Sequence, residues 1–163
     1  MNAIRLSVVA GSIVIALCGC NTRLSTTKER VETILSDDKE KLDAMEKARA
    51  SVDQMIGRLK EPGKANGFCV KKQFVEGSQV ELMWLSNATF DGKVFRGRVA
   101  NEPQVVHSIQ SGSPASVSPT EILDWMYVED GKLVGGYSIR AMYQRLSPAE
   151  RAELDKTLPY RIE

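Results

Sequence analysis

At Pro62-Gly63 the spacing of apolar residues changes period, so one kind of structural layer cannot accommodate the whole chain. Before that point Leu42, Met45, Val52, Ile56 and Leu59 recur at helical spacing. They follow Ser36 as an N-cap, with Asp37 and Asp38 in the first turn, where carboxylates meet the positive end of the helix dipole. The pattern predicts an amphipathic helix over 37–60, ended by Glu61-Pro62-Gly63 because proline cannot continue the ladder. Arg49 interrupts the seam and the heptads are few, so the helix is expected to lie on the domain's own sheet rather than on a partner helix. After Pro62 the period is strand-like. Residues 68–75 and 79–86 flank the turn Glu76-Gly77-Ser78, and Asp91-Gly92, with both central positions at positive φ, leads into a strand over 93–100. Asp130-Gly131 repeats the device between 122–128 and 133–137. The expectation is α+β: an antiparallel meander of about five strands with the helix packed across one face.

Helical spacing returns after Gly135-Gly136, with Ile139, Met142, Tyr143 and Leu146 behind Ser138 as a cap. Ser147, Pro148 and Glu150 supply a cap, a first-position proline and a first-turn acid for a last short helix to Lys156. The tail beyond is expected to be loosely held.

The N-terminus addresses the compartment. Arg5 precedes an apolar run over residues 6–17, which ends in Cys18-Gly19-Cys20. A membrane-spanning helix needs about 20 apolar residues, so this shorter run is expected to be a signal peptide over 1–19. Leu17-Cys18-Gly19-Cys20 resembles the lipobox of bacterial lipoproteins, which implies lipid on Cys20, a tether over 20–36 and a single domain over 37–163. The resemblance also implies a periplasmic domain, and Asn21 beside the cysteine implies sorting to the outer membrane.

Charge narrows the partners. The chain has 22 Lys plus Arg against 21 Asp plus Glu, and losing Arg5 with the signal makes the mature chain neutral. Nucleic acid is therefore not an expected partner. Cys18 leaves with the signal and Cys20 takes lipid, so no intramolecular disulfide is expected for Cys69. Cys69 and His107 form only a weak nucleophile pair, because the cysteine lies in an apolar strand and the histidine in a loop. One histidine and one spare cysteine do not make a zinc site, and no phosphate-loop pattern is present, so neither metal nor cofactor is expected.

Glu81-Leu82-Met83-Trp84, Asp91-Gly92 with Phe95-Arg96-Gly97, Asn101-Glu102-Pro103, Asp124-Trp125-Met126-Tyr127 and Gly135-Gly136-Tyr137-Ser138-Ile139-Arg140 occur in an order and spacing similar to the YegJ-like bacterial domain of unknown function. The resemblance covers roughly residues 37–150. It implies a small α+β domain, sometimes lipid-anchored, and brings no substrate, cofactor or catalytic set. Leu82 departs from the polar residue often seen there.

Two clusters could carry chemistry. Asp124, Trp125 and Arg140 could converge at one end of the sheet and hold a polar ligand. The alternative is that Asp124 pairs with Arg140 or caps a loop while Trp125 fills the core. Glu81, Trp84, Asn101 and Glu102 form a second patch, in which two carboxylates could act as acid and base if they face one another. Gly135-Gly136 fits a bulge or strand exit, or close approach of a ligand. The residues favour a non-catalytic binding or interaction domain for an envelope protein or cell-wall ligand. The rival readings are an envelope hydrolase or modifying enzyme and an inhibitor or immunity-like protein.

Overall fold

A computed structural model of the protein describes residues 39–163. The expected signal peptide, the lipid-bearing Cys20, the tether and the Ser36 cap lie outside the described residues. The described chain is a mixed α/β fold of four helices and one six-stranded antiparallel sheet. In chain order the elements are α1 (Lys39–Ala50), α2 (Val52–Lys60), β1 (Asn66–Glu76), β2 (Gln79–Phe90), β3 (Phe95–Val99), β4 (Pro114–Val117), β5 (Asp124–Glu129), β6 (Lys132–Gly135), α3 (Tyr137–Arg145) and α4 (Pro148–Asp155).

The strand order is β4-β3-β2-β1-β5-β6, so the expected meander holds only from β1 to β4. β5 then returns to the far edge of β1, placing Asp124 opposite Lys71 and Trp125 opposite Val70. The reason lies in the two available edges. β4 has four residues and opens with Pro114, which lacks an N–H, whereas β1 runs for 11 residues. The same brevity hid β4 from the hydrophobic pattern. The sheet is also strongly coiled. Lys72 Nζ on β1 donates to the Ser116 carbonyl on β4 at 3.0 Å, although two strands lie between them in the order. In a flat sheet those strands would stand roughly 14 Å apart, beyond a lysine's reach.

Alternation along the strands divides the core in two. One cluster holds Val70, Met83, Leu85, Phe95, Val99, Trp125 and Tyr127 with Ala48, Val52 and Met55 from α1 and α2. The other holds Cys69, Trp84, Met126 and Leu133 with Ile139, Met142 and Leu146 from α3 and its C-terminal end, and Leu154 and Tyr160 beyond.

The single helix expected over 37–60 is two. Trp125 Nε1 donates to the Ala48 carbonyl at 2.9 Å, and Ser51 Oγ bonds back to the Lys47 carbonyl at 2.7 Å. The carbonyl that would continue the ladder is thus turned to the core, and the helix restarts at Val52. The apolar stripe shifts accordingly: Ala44 and Ala48 are buried, while Leu42 is 67% exposed.

Asp130 (φ 49°) and Gly131 (φ 72°) form the expected tight turn. At Asp91-Gly92 only the glycine has positive φ. Asp91 instead accepts the Val94 and Lys93 N–H groups, and these bonds, that from Val94 foremost, hold its carboxyl down at about 2. Ser147 and Glu150 make the full capping box, with Pro148 in the first turn.

The tail is not loose. Arg161 donates to Gly131 and accepts from Leu133, both at 2.9 Å, and so lines the outer edge of β6. Tyr160 is buried, its hydroxyl has no hydrogen-bond partner among the described residues, and burial pushes its pKa up to about 12. An unfolded tyrosine ionises near pH 10, so this group's contribution to stability is complete below about pH 10 and drains away as pH rises to about 12. Tyr160→Phe is expected to flatten that alkaline fall and to leave neutral stability unchanged or slightly raised, since it deletes an unmet hydroxyl. Melting midpoints collected from about pH 8 to 12 check this.

Candidate functional site

Asp124 opens β5 and is fully buried. One oxygen accepts the N–H groups of Trp125 at 2.8 Å and Tyr137 at 3.1 Å. The other accepts the Ser138 N–H at 2.8 Å and the Ser138 hydroxyl at 2.6 Å. A carboxylate offers about four lone-pair positions, and these donors fill them. Burial pushes the pKa of Asp124 up, while the Ser138 bonds and the Lys71 charge pull it down. Asp124 therefore caps α3 from a distant strand. The helix starts at Tyr137 after Gly136, and Ser138, expected as the cap, lies in the first turn and donates to the carboxylate instead.

Arg140, one turn into α3, points the other way. Its Nε donates to the Gly135 carbonyl at 2.8 Å, and its terminal nitrogens donate to the Leu133 carbonyl at 2.5 Å and to the Glu163 carbonyl. Asp124 and Arg140 thus share the β6–α3 junction but serve different partners. Trp125 is fully buried, stacked on Tyr127 and edge-on to Tyr137. Gly135 lies against it: a Cβ there would come 2.4 Å from the Trp125 carbonyl and 2.6 Å from its ring.

The second patch is built on β2 and the loop after β3. Glu81 clasps that loop, its oxygens accepting the Gln104 N–H at 2.9 and 3.0 Å, Val105 at 3.0 Å and Val106 at 3.2 Å. Glu76 continues the clasp to His107 at 2.5 Å and Ser108 at 3.3 Å. Two carboxylates thus hold five successive backbone donors and seat Val106 in the core. Asn101 accepts the Trp84 N–H at 2.8 Å, completing the β2 edge. Trp84 is 7% exposed and, by strand alternation, on the face opposite Glu81. Glu102 is exposed. Glu81→Ala is expected to cost about 1–3 kcal/mol and to speed amide exchange selectively at 104–106. Exchange measured by mass spectrometry checks it, and uniform acceleration across the domain would contradict the clasp.

Cys69 and His107 are not a pair: the cysteine is buried between β2 and β5 and the histidine is exposed in the clasped loop. Cys69 is disulfide-bonded, contrary to the expectation of no intramolecular disulfide. Among the described residues, no three His, Cys, Asp or Glu side chains gather where a metal ion could sit. No described helix is long and apolar enough to cross a membrane.

Two residues absent from the sequence-level candidates enter here. Glu76 read only as a turn residue. Lys71 sat unremarked in an apolar strand, yet it is opposite both Trp84 and Asp124, and its ammonium lies 5.5 Å from the Trp84 ring centroid. Strand alternation could have paired it with Trp84, but the return of β5 that brings Asp124 was not legible.

Fold and site together define a small mixed α/β domain in which the carboxylates best placed for chemistry serve as internal acceptors. The chain belongs to the family described as uncharacterised protein conserved in bacteria (DUF2314), which matches residues 38–160. It is 30% identical over 112 residues to the uncharacterised protein YegJ of Escherichia coli (strain K12), covering 69% of this chain and 72% of that one. It is 35% identical over 80 residues to the putative ankyrin repeat protein NMB1133/NMB1171 of Neisseria meningitidis serogroup B, covering 49% of this chain and 32% of that protein. No solved structure matches.

Proposed function

We propose that this chain is an envelope lipoprotein, anchored through lipid on Cys20 at the outer membrane, whose periplasmic domain is a non-catalytic binding or interaction module for an envelope protein or cell-wall ligand. The observation that carries the non-catalytic part is the engagement of Glu81 and Asp124. Their oxygens are occupied by backbone and hydroxyl donors, so neither carboxylate is placed to exchange protons with a substrate. Trp84 and Trp125 support it too, since neither ring is exposed enough to stack a ligand. Of the seven candidate positions, the exposed Glu102 is the one suited to meeting a partner directly. Anchoring rests on the charged start, the short apolar run and the lipobox-like Leu17-Cys18-Gly19-Cys20.

The test is intact mass and fatty-acid labelling of the protein isolated from its native envelope, beside a Cys20→Ala form. The wild type is expected to begin at a lipidated Cys20 and to sediment with outer membrane, and the variant to lose both label and membrane. One sulfur cannot carry both a lipid thioether and a disulfide, so in the anchored chain the Cys69 bond is opened or passes to another molecule. A Cys20 found in a disulfide, or an N-terminus unprocessed at residue 1, would therefore overturn the anchoring. Turnover of envelope glycans or peptides by the purified domain would overturn the non-catalytic part.

A further inference from the structure

The β1–β2 hairpin is covered on one face and bare on the other. On the face of Phe74 and Glu81, the loop over 104–108 is strapped down by the Glu76 and Glu81 carboxylates. On the opposite face, strand alternation lines up Trp84, Leu82 and Val80 of β2 with Lys71, Gln73 and Val75 of β1. The inner end of this row is roofed, because Trp84 is buried in the cluster that holds Ile139, Met142 and Leu146 from α3 and its C-terminal end. Past Trp84 the roof stops. Val75 and Val80, paired directly across the strands, are 59% and 51% exposed, and Leu82 is half-buried. Among the described residues only four large apolar side chains are exposed, so two of them stand together on a face that continues a core cluster.

The described chain begins beside that face. Ser51 at the end of α1 bonds the Tyr137 hydroxyl at 2.7 Å, and Glu40 in its first turn accepts from Arg145 Nε at 3.0 Å, so α1 runs antiparallel along α3. Arg145 adjoins Leu146, which shares its cluster with Trp84, and from Trp84 to Val80 is four residues, about 13 Å of strand. Residues 21–38 join Cys20 to α1, and these 18 residues reach about 60 Å when extended. They carry Leu24, Val31, Ile34 and Leu35, three of the four gathered at the end nearest α1. We propose that this segment covers the bare face, with Val31, Ile34 and Leu35 packed on Val75, Val80 and Leu82. Its length is sufficient, its start lies on the correct side of the sheet, and its apolar residues gain by leaving water together with the hairpin pair. Docking also sets reach: with residues 21–30 alone left free, the span between Cys20 and the domain falls from about 60 Å to about 35 Å. The inference goes beyond the binding role proposed above, concerns a contact of the chain with itself, and holds with or without lipid on Cys20.

The test is photocrosslinking of the full chain in its native envelope. Val80→p-benzoylphenylalanine places the probe at an exposed strand position, and its product is expected to be intrachain, with the joined peptide falling within residues 24–38 by mass spectrometry. The same probe at Lys93, in the exposed β2–β3 turn, is expected to give no product with that peptide. Val31→Ser, Ile34→Ser and Leu35→Ser combined leave every described residue unchanged. They should lower the Val80 product at least about tenfold, since one aliphatic side chain kept from water is worth roughly that factor. A product with a second copy, with another protein or with lipid would overturn the docking, as would no product or a yield that the triple substitution leaves unchanged. Loss of the intrachain product from a chain still lipidated overturns the docking and leaves the anchoring. The product retained in a chain found without lipid does the reverse.

Discussion

Asp124→Ala is expected to lower stability by about 3–5 kcal/mol, a large share of the margin that keeps a domain of this size folded. The substitution leaves four donors, from Trp125, Tyr137 and the backbone and hydroxyl of Ser138, with no acceptor in a fully buried place. It also removes the anion at the start of α3 and leaves the nearby Lys71 charge uncompensated. Asp124→Asn separates the causes. Its amide nitrogen would point two hydrogens at groups that are themselves donors, so asparagine should recover only a small part of the loss. Urea unfolding of the two variants measures the difference. A folded Asp124→Ala protein with near-native stability would instead mark Asp124 as a surface-acting ligand group, the reading its sequence position first suggested.

Gly135→Ala is expected to cost about 3–5 kcal/mol through two additive causes. The backbone there has φ of 70°, which side-chain-bearing residues adopt only under strain, and the added Cβ would collide with both the Trp125 carbonyl and its ring. The carbonyl cannot yield, because it accepts the Gly136 N–H at 2.7 Å and sits inside the β5 ladder. Gly112 provides the control, since its φ of 84° carries the same backbone strain but a Cβ there meets nothing within 4 Å. Gly112→Ala should cost only about 1 kcal/mol, so the gap between the two midpoints reads the steric part directly.

Local chemistry made much of the fold legible. The Asp130-Gly131 turn, the capping box of Ser147 and Glu150, and the break at Pro62 each depend on a few neighbouring residues whose backbone demands are written in the chain. What escaped was decided at a distance. The helix divides at Ser51 because an indole from β5, 77 positions away, claims the Ala48 carbonyl. α3 is capped by a carboxylate 14 positions before Ser138, so the nearby serine looked like the cap. The candidate sites failed to read correctly for the same reason. Aspartate, glutamate and arginine near turns look alike whether they meet a ligand or a backbone. Only the tertiary partner of Glu81, the loop N–H groups of 104–106, tells the two apart.

The Arg161 pairing along β6 has a consequence for how the sheet meets other molecules. A strand edge with unmatched N–H and C=O groups invites another chain to extend the ladder, and a protein with two such edges can polymerise through them. Here one edge is sealed by the chain's own end, while the opposite edge is four residues long and begins with Pro114. Among the described residues the sheet therefore offers one short, poorly donating border at β4, while strand addition at β6 would have to displace the Arg161 segment.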